Sequence, residues 1–153
     1  MQLLEEEINI GNETYLISTD KNKLDIDCIA DYLINHSYWA STRTVEQVKT
    51  SIEHSICFAV HHQNKQIAFG RVISDCSTFA YLADVFVLEN FRGKGISKAL
   101  MKFILAHPQL QNLRRFILAT RDAHGLYKQF GFTPLSIPER WMERHEVDVY
   151  RKD

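Results

Sequence analysis

Arg92-Gly93-Lys94-Gly95-Ile96-Ser97 places two glycines, two cations and a hydroxyl where the hydropathy pattern of the chain changes. Before it, Val85–Leu88 is an apolar run of the strand kind; after it, Ile96, Ala99, Leu100, Phe103 and Ile104 recur at helical spacing. A helix that opens inside the glycine segment leaves its first N–H groups without intrahelical partners and carries roughly half a positive charge at that end. Glycines remove the side chains that would hold a ligand away from those amides. Arg92 and Lys94 could be ordinary surface charges, but cations at a helix start oppose its dipole, and a bound anion resolves the conflict. The chemistry of the stretch is that of a phosphate cradle.

Spacing separates the known cradles. A P-loop needs glycine five positions before its Gly-Lys pair and Ser or Thr after it; here those positions hold Leu88 and Gly95. A dinucleotide fingerprint needs a third glycine where Lys98 stands, and belongs near the start of a βαβ fold. What remains is Arg-x-x-Gly-x-(Gly/Ala), matched by Arg92 to Ser97. Following a strand that ends in Val87, it resembles the acyl-CoA-binding motif of the GCN5-related N-acetyltransferases (GNAT). A second stretch, Ala123-His-Gly-Leu-Tyr127-Lys-Gln-Phe-Gly131-Phe132, is similar to that family's Ala-x-x-x-Tyr-x-x-x-Gly-Phe segment. The two lie in register over roughly residues 80–135, with room between them for a helix and a strand. Two positions depart from the pattern: Ser97 replaces Gly or Ala, and Thr120 stands where many members carry a cofactor-contacting asparagine.

The resemblance implies an acetyl-CoA-dependent N-acetyltransferase. It would hold the pyrophosphate on amides of Arg92, Gly93, Lys94, Gly95, Ile96 and Ser97, with Thr120 nearby. The pantetheine would lie along the strand edge at Phe86, Val87 and Leu88, where one N–H, of Phe86 or Val87, polarises the thioester carbonyl. Helix spacing alone reads Tyr127 as a core aromatic; the resemblance makes it the catalytic group facing the thioester sulfur. The amine would attack directly in a ternary complex, since no Ser or Cys is paired with a base in the sequence. The alternative is a CoA-binding regulatory or interaction module that has lost the chemistry.

An acceptor amine of lysine type is neutral at pH 7 only about once in 2,500 molecules, so a base or a water chain must take its proton. The candidates are Asp84, Glu89, Asp122, His124 and His145. Asp84 ranks first, because it lies on the strand leading to the cofactor motif, where members of the resembled family often carry such a carboxylate. Tyr38, Trp39 and Arg43 lie between two helical patterns. A core plug is the commoner fate of such aromatics, whereas in the resembled family this region walls the acceptor site. Arg43 in that wall would favour an acceptor bearing a carboxylate.

The elements that must position these residues follow from periodicity. Two short strands flank Gly11-Asn12, and a helix covers Leu24–Ile34. Thr44-Val-Glu-Gln47 is a capping box opening a second helix, and a three-stranded meander runs from Ile56 to Val87. The glycine-initiated helix ends before Pro108, Arg115–Thr120 is a buried strand, Ala123–Phe130 a short helix, and Phe132–Leu135 and Glu146–Tyr150 two last strands. The order βαα-βββ-α-β-α-β fits a single α/β domain over 1–153, a mixed central β-sheet flanked by helices.

A net charge of -1 argues against a nucleic-acid surface. Adjacent His61 and His62 point to opposite strand faces and cannot share a metal, so no metal is expected. The acidic start MQLLEEEINI has no signal-peptide pattern, and no apolar run approaches the ~20 residues of a membrane span. Cys28, Cys57 and Cys76 read as reduced, buried thiols of a cytoplasmic protein. The expected partner is a small-molecule or peptide amine. A homodimer is compatible with the resemblance, with Trp141–Tyr150 as the stretch to contact a second copy.

Overall fold

A computed structural model describes residues 3–150; residues 1, 2 and 151–153, which the single-domain expectation includes, lie outside the described residues. The chain runs β1 (Glu5–Ile10), β2 (Glu13–Ser18), α1 (Ile26–His36), α2 (Val45–Glu53), β3 (Ile56–His62), β4 (Lys65–Ser74), β5 (Phe79–Val87), α3 (Ile96–Leu105), β6 (Arg115–Leu118) and α4 (His124–Lys128). The strands form one six-stranded sheet in sequence order. Every pairing is antiparallel except β5 with β6, which is parallel. This is the expected mixed α/β architecture.

Both faces of the sheet are covered. Phe58, Val60, Ala68, Val72 and Leu82 pack with Leu100, Met101 and Ile104 of α3 on one face. Cys57, Phe69 and Phe86 pack with Ile29 and Leu33 of α1 and Val48 and Ile52 of α2 on the other. Local chemistry starts both covering helices of the second face. Asp25 accepts the Cys28 N–H ahead of α1, and Thr44 and Gln47 close the capping box of α2 in both directions.

Two expected strands do not form. Phe132–Leu135 and Glu146–Tyr150 are irregular, and among the described residues nothing pairs with the outer edge of β6. Pro134 removes a ladder donor in the first segment. The second alternates Glu and Asp with Val, yet all of its residues are exposed, so its apolar face has no core to drive pairing.

Gly70 sets the distance between the sheet and α3. A Cβ built there would lie 3.3 Å from Ile104 Cδ1 and 3.7 Å from Leu100 Cδ2, both on the helix. The absent side chain lets the helix sit directly on the strand. Gly70→Val is therefore expected to lower unfolding free energy by about 1–3 kcal/mol through overpacking, with Gly70→Ala much milder. Urea denaturation of both variants checks this, and equal loss in the two would exclude a packing cause.

Candidate functional site

The site is built on an irregularity in β5. Phe69 pairs with Phe86 and Arg71 with Ala83, so Gly70 alone opposes both Asp84 and Val85, a β-bulge. Asp84 takes φ 55, a left-handed conformation that Asp tolerates better than most side chains. The bulge inverts the strand's parity. Leu82 and Phe86, four residues apart, would share a face of a regular strand, but Leu82 lies in the α3 core and Phe86 in the α1–α2 core. Asp84 consequently turns toward the loop joining α1 to α2.

There its carboxylate is closed by three donors. Trp39 Nε1 donates to Oδ1 at 2.9 Å, and Arg43 and Arg71 donate to Oδ2 at 2.8 and 2.9 Å. Arg71 also donates to the Ser55 hydroxyl at 3.0 Å. The Asp84 side chain is 1% exposed and that of Arg43 20%. Burial pushes the Asp84 carboxyl up, but the charges of Arg71 and Arg43 and the hydrogen bonds from Arg43 and Trp39 outweigh it and hold it below the ordinary carboxylate value. A carboxylate held in this way is a poor proton acceptor for an ammonium, which argues against Asp84 as the base. Of the other acid–base candidates, Glu89, Asp122, His124 and His145 are all exposed.

Beyond Leu82, which pairs with Leu118, β5 leaves β6, and from Ala83 to Val87 it has no strand partner on that side among the described residues. Leu88 N–H is committed to Ile67 O at 2.9 Å, so strand alternation turns the Val87 N–H toward the open edge. The Val87 carbonyl accepts from Arg92 Nε at 3.1 Å, while Arg92 also donates to the Tyr32 hydroxyl at 2.8 Å. The Arg92 backbone N–H is bonded to Glu89 O. Arg92 therefore ties the strand edge to α1, and the cradle amides begin at Gly93. Lys94 Nζ lies 5.5 Å from the Phe91 ring centroid.

Gly93 and Gly95 have φ 74 and 85, and a Cβ on either would meet no atom within 4 Å. Backbone conformation requires glycine here, and the space in front of it is open to a ligand. Gly95 is the N-cap of α3, no side chain caps the helix, and the first bond of the helix is from Ala99 N to Gly95 O. Ser97 falls in the first turn, as expected. Thr120 is otherwise engaged, its hydroxyl accepting from Ala123 N at 3.0 Å and Asp122 N at 3.4 Å at the start of α4.

Tyr127 is 8% exposed on α4, and its hydroxyl has no hydrogen-bond partner among the described residues. Burial, Tyr38 and Asp122 push its pKa up to about 12. Gly131, at φ 87, lets the chain return so that Phe132 N–H bonds Tyr127 O at 3.2 Å. Tyr38 faces the same region. Its hydroxyl accepts the Arg121 N–H at 3.0 Å, and the Arg121 guanidinium lies 3.8 Å from its ring centroid. Tyr38 and Trp39, in edge contact at 5.0 Å, are 47% and 39% exposed, too open for a core plug. A cavity of about 760 Å³ opens beside β6; Thr120, His124 and Tyr127 are among the residues that line it, and no residue of β5 is. The three cysteines are unpaired; Cys57 is buried, its thiol pushed up to about 11, whereas Cys28 and Cys76 are only half-buried, which corrects that expectation.

The family profile described as Acetyltransferase (GNAT) domain matches residues 53–134, which hold β3 to α4 and both motif segments. The chain belongs to the GNAT family of acetyltransferases. It is similar to a Xanthomonas campestris pv. campestris protein assigned to the GNAT family, at 50% identity and TM-score 0.88, over 90% of this chain and 97% of that one. A Gibberella zeae protein named as an acetyltransferase is 27% identical over 135 residues, 74% of this chain and 75% of the relative. A Clostridium acetobutylicum acetyltransferase structure with acetyl-CoA shares the fold at 12% identity, with TM-score 0.60 over 94% of this chain and 96% of that one. This GNAT chain is accordingly an acyltransferase.

Sequence reasoning missed four residues that hold these groups in place: Ser55, Arg71, Arg121 and Tyr32. Arg71 was signalled by its position, a cation inside the otherwise apolar Ile67–Ile73 run, where burial demands a partner. Arg121, between β6 and the tyrosine helix, had no periodic signal. Asp84→Ala leaves Arg71 buried without its counter-charge and is expected to cost about 3–5 kcal/mol. Because the Asp84 carboxyl is depressed on folding, its stabilisation is present above its unfolded value, near pH 4, and is lost as pH falls through the folded value. Unfolding free energies from pH 7 to 2 should thus fall in wild type and be flatter in Asp84→Asn; parallel curves would refute the linkage.

Proposed function

We propose that this GNAT acyltransferase moves the acetyl group of acetyl-CoA to an amine acceptor by direct attack in a ternary complex. One observation carries the reading. The open edge of β5 runs into the uncapped N-terminus of α3, and a phenol without a partner stands on α4, beyond the point where β5 and β6 part. An extended pantetheine would add to that edge by β-augmentation. The amides from Gly93 to Ser97 and the α3 dipole would hold the pyrophosphate. Acetyl-CoA supplies the activated acetyl group; the remaining chemistry belongs to the chain.

Val87 N–H would donate to the thioester carbonyl oxygen, a fixed dipole where negative charge develops. Tyr127 would donate a hydrogen bond to the departing sulfur. With the phenol near 12 and a thiol near 8.5, complete proton transfer is uphill by roughly 5 kcal/mol, so the role is stabilisation rather than delivery of the proton. Asp84 would act as the anion that positions Trp39 and Arg43 in the acceptor wall. The acceptor proton would leave through water. The cysteines and serines take no part as nucleophiles.

Tyr127→Phe is expected to lower kcat by about 10–1000-fold with acetyl-CoA affinity nearly intact; steady-state kinetics with calorimetry separates the two, and wild-type turnover would sink the role. Wild-type activity should rise with pH as the acceptor loses its proton, and ionisation of Tyr127 should add no falling limb until pH approaches about 12. Gly95→Val forces a branched side chain into φ 85 and into the cradle, so calorimetric binding of acetyl-CoA should collapse in that variant. Absence of binding in wild type would overturn the proposal.

A further inference from the structure

Resting on the acetyl-transfer reading above, we infer that the acceptor carries an anionic group, carboxylate or phosphate, a few bonds from its amine, received by Arg43 and Arg121.

The charges of the acceptor wall do not balance. Asp84 contributes one negative charge, and it already faces two guanidinium groups, Arg43 and Arg71. Only Arg71 is fully enclosed, its side chain 8% exposed and shared between Asp84 and Ser55. Arg43 spends one nitrogen on Asp84 and keeps a 20% exposed side chain at the mouth. Arg121 adds a third cation, exposed and laid over the Tyr38 ring; among the described residues no carboxylate pairs with its guanidinium. Asp122, exposed on the same turn, is the counter-charge nearest to it in sequence. Three cations against two carboxylates leave the wall positive, and the buried Asp84 presents no oxygen to an incoming ammonium.

The arginines are joined by contacts rather than scattered. Arg43 and Trp39 share the Asp84 carboxylate, Trp39 touches Tyr38 edge-on, and Tyr38 carries Arg121 on its face and accepts its N–H. The chain of contacts runs from Arg43 on the α1–α2 loop to Arg121 on the turn that leads into α4, the helix that carries Tyr127. Planar guanidinium forks match carboxylate and phosphate oxygens, and stacking holds the Arg121 fork in place. The exposed faces of Tyr38 and Trp39 offer apolar contact between them. An acceptor with both groups would set its anion on the arginines and leave its amine toward the thioester. The same cations would depress the amine's pKa by like-charge repulsion, easing a deprotonation for which Asp84 is unsuited. A polycationic acceptor would meet repulsion instead.

The test uses the whole chain, acetyl-CoA and matched amines, followed by thiol release: O-phosphoethanolamine against ethanolamine, β-alanine against its amide, and spermidine. The anionic member of at least one pair should show kcat/KM about 10–100-fold above its neutral partner, and the pair that responds tells phosphate from carboxylate. Arg121→Gln, an exposed position expected to fold normally, should erase the preference, and Arg121→Lys should keep part of it. Preference for ethanolamine, the amide or spermidine would overturn the inference, as would failure to acetylate any anionic member by protein that binds acetyl-CoA. Failure to bind acetyl-CoA at all would overturn the acetyl-transfer reading itself.

Discussion

The Asp84 carboxylate, gripped by Arg71, Arg43 and Trp39, is the interaction on which the rest of the site depends. It stands at the bulge of β5 in a backbone conformation that costs energy outside glycine, so neighbouring structure must hold it there. The three donors do so, and they come from two places. Arg71 belongs to the adjacent strand, while Trp39 and Arg43 come from the loop between α1 and α2. One side chain therefore fixes the strand irregularity and the α1–α2 loop together. A buried ion pair is weak evidence for stability as such, because desolvation offsets much of the attraction. Here its weight lies in geometry.

The bulge has a consequence for the cofactor side as well. By inverting the parity of β5, it lets Val85 and Val87 pack toward the α3 core while Phe86 faces the α1–α2 core. The strand thereby stays anchored on both faces after it has lost β6 as a neighbour. Double-sided burial stiffens this edge. Arg92 adds a brace by bonding the Val87 carbonyl and the Tyr32 hydroxyl, and Tyr32 stacks on Phe86 at 4.1 Å between ring centroids. Gly70 completes the arrangement by seating α3, and with it the cradle, against the strand directly behind the bulge.

The elements that obey local rules were legible in the residues. The capping box at Thr44 and Gln47, the alternation of the meander and the glycine-opened helix each announce themselves within a few positions. The bulge did not. FAYLADVFV alternates almost perfectly and reads as a regular strand; only the Asp in its middle hints otherwise. The partners of Asp84 lie 13, 41 and 45 positions away, beyond any local pattern, so its enclosure could not be read in advance. The two contacts of the Arg92 side chain, to the Val87 carbonyl and the Tyr32 hydroxyl, were hidden for the same reason, with Tyr32 lying 60 positions away. At Glu146–Tyr150 the alternating pattern was present but the buried face it needs was not, because periodicity states which residues could share a face and not what covers it.

These placements divide the work of the site between two kinds of group. Tyr127, low in exposure and without a hydrogen-bond partner, remains protonated and can serve charge that develops beside it. Asp84, with every oxygen taken, cannot exchange protons cheaply and instead orders its neighbours. With Asp84 enclosed, the easiest acceptor would be one whose amine arrives already inclined to lose its proton. Positive charge on the wall produces that inclination while also rejecting acceptors that carry only positive charge. Specificity and proton management would then follow from the same guanidinium groups, and both trace back to how Asp84 distributes Arg71 to the interior and Arg43 to the mouth.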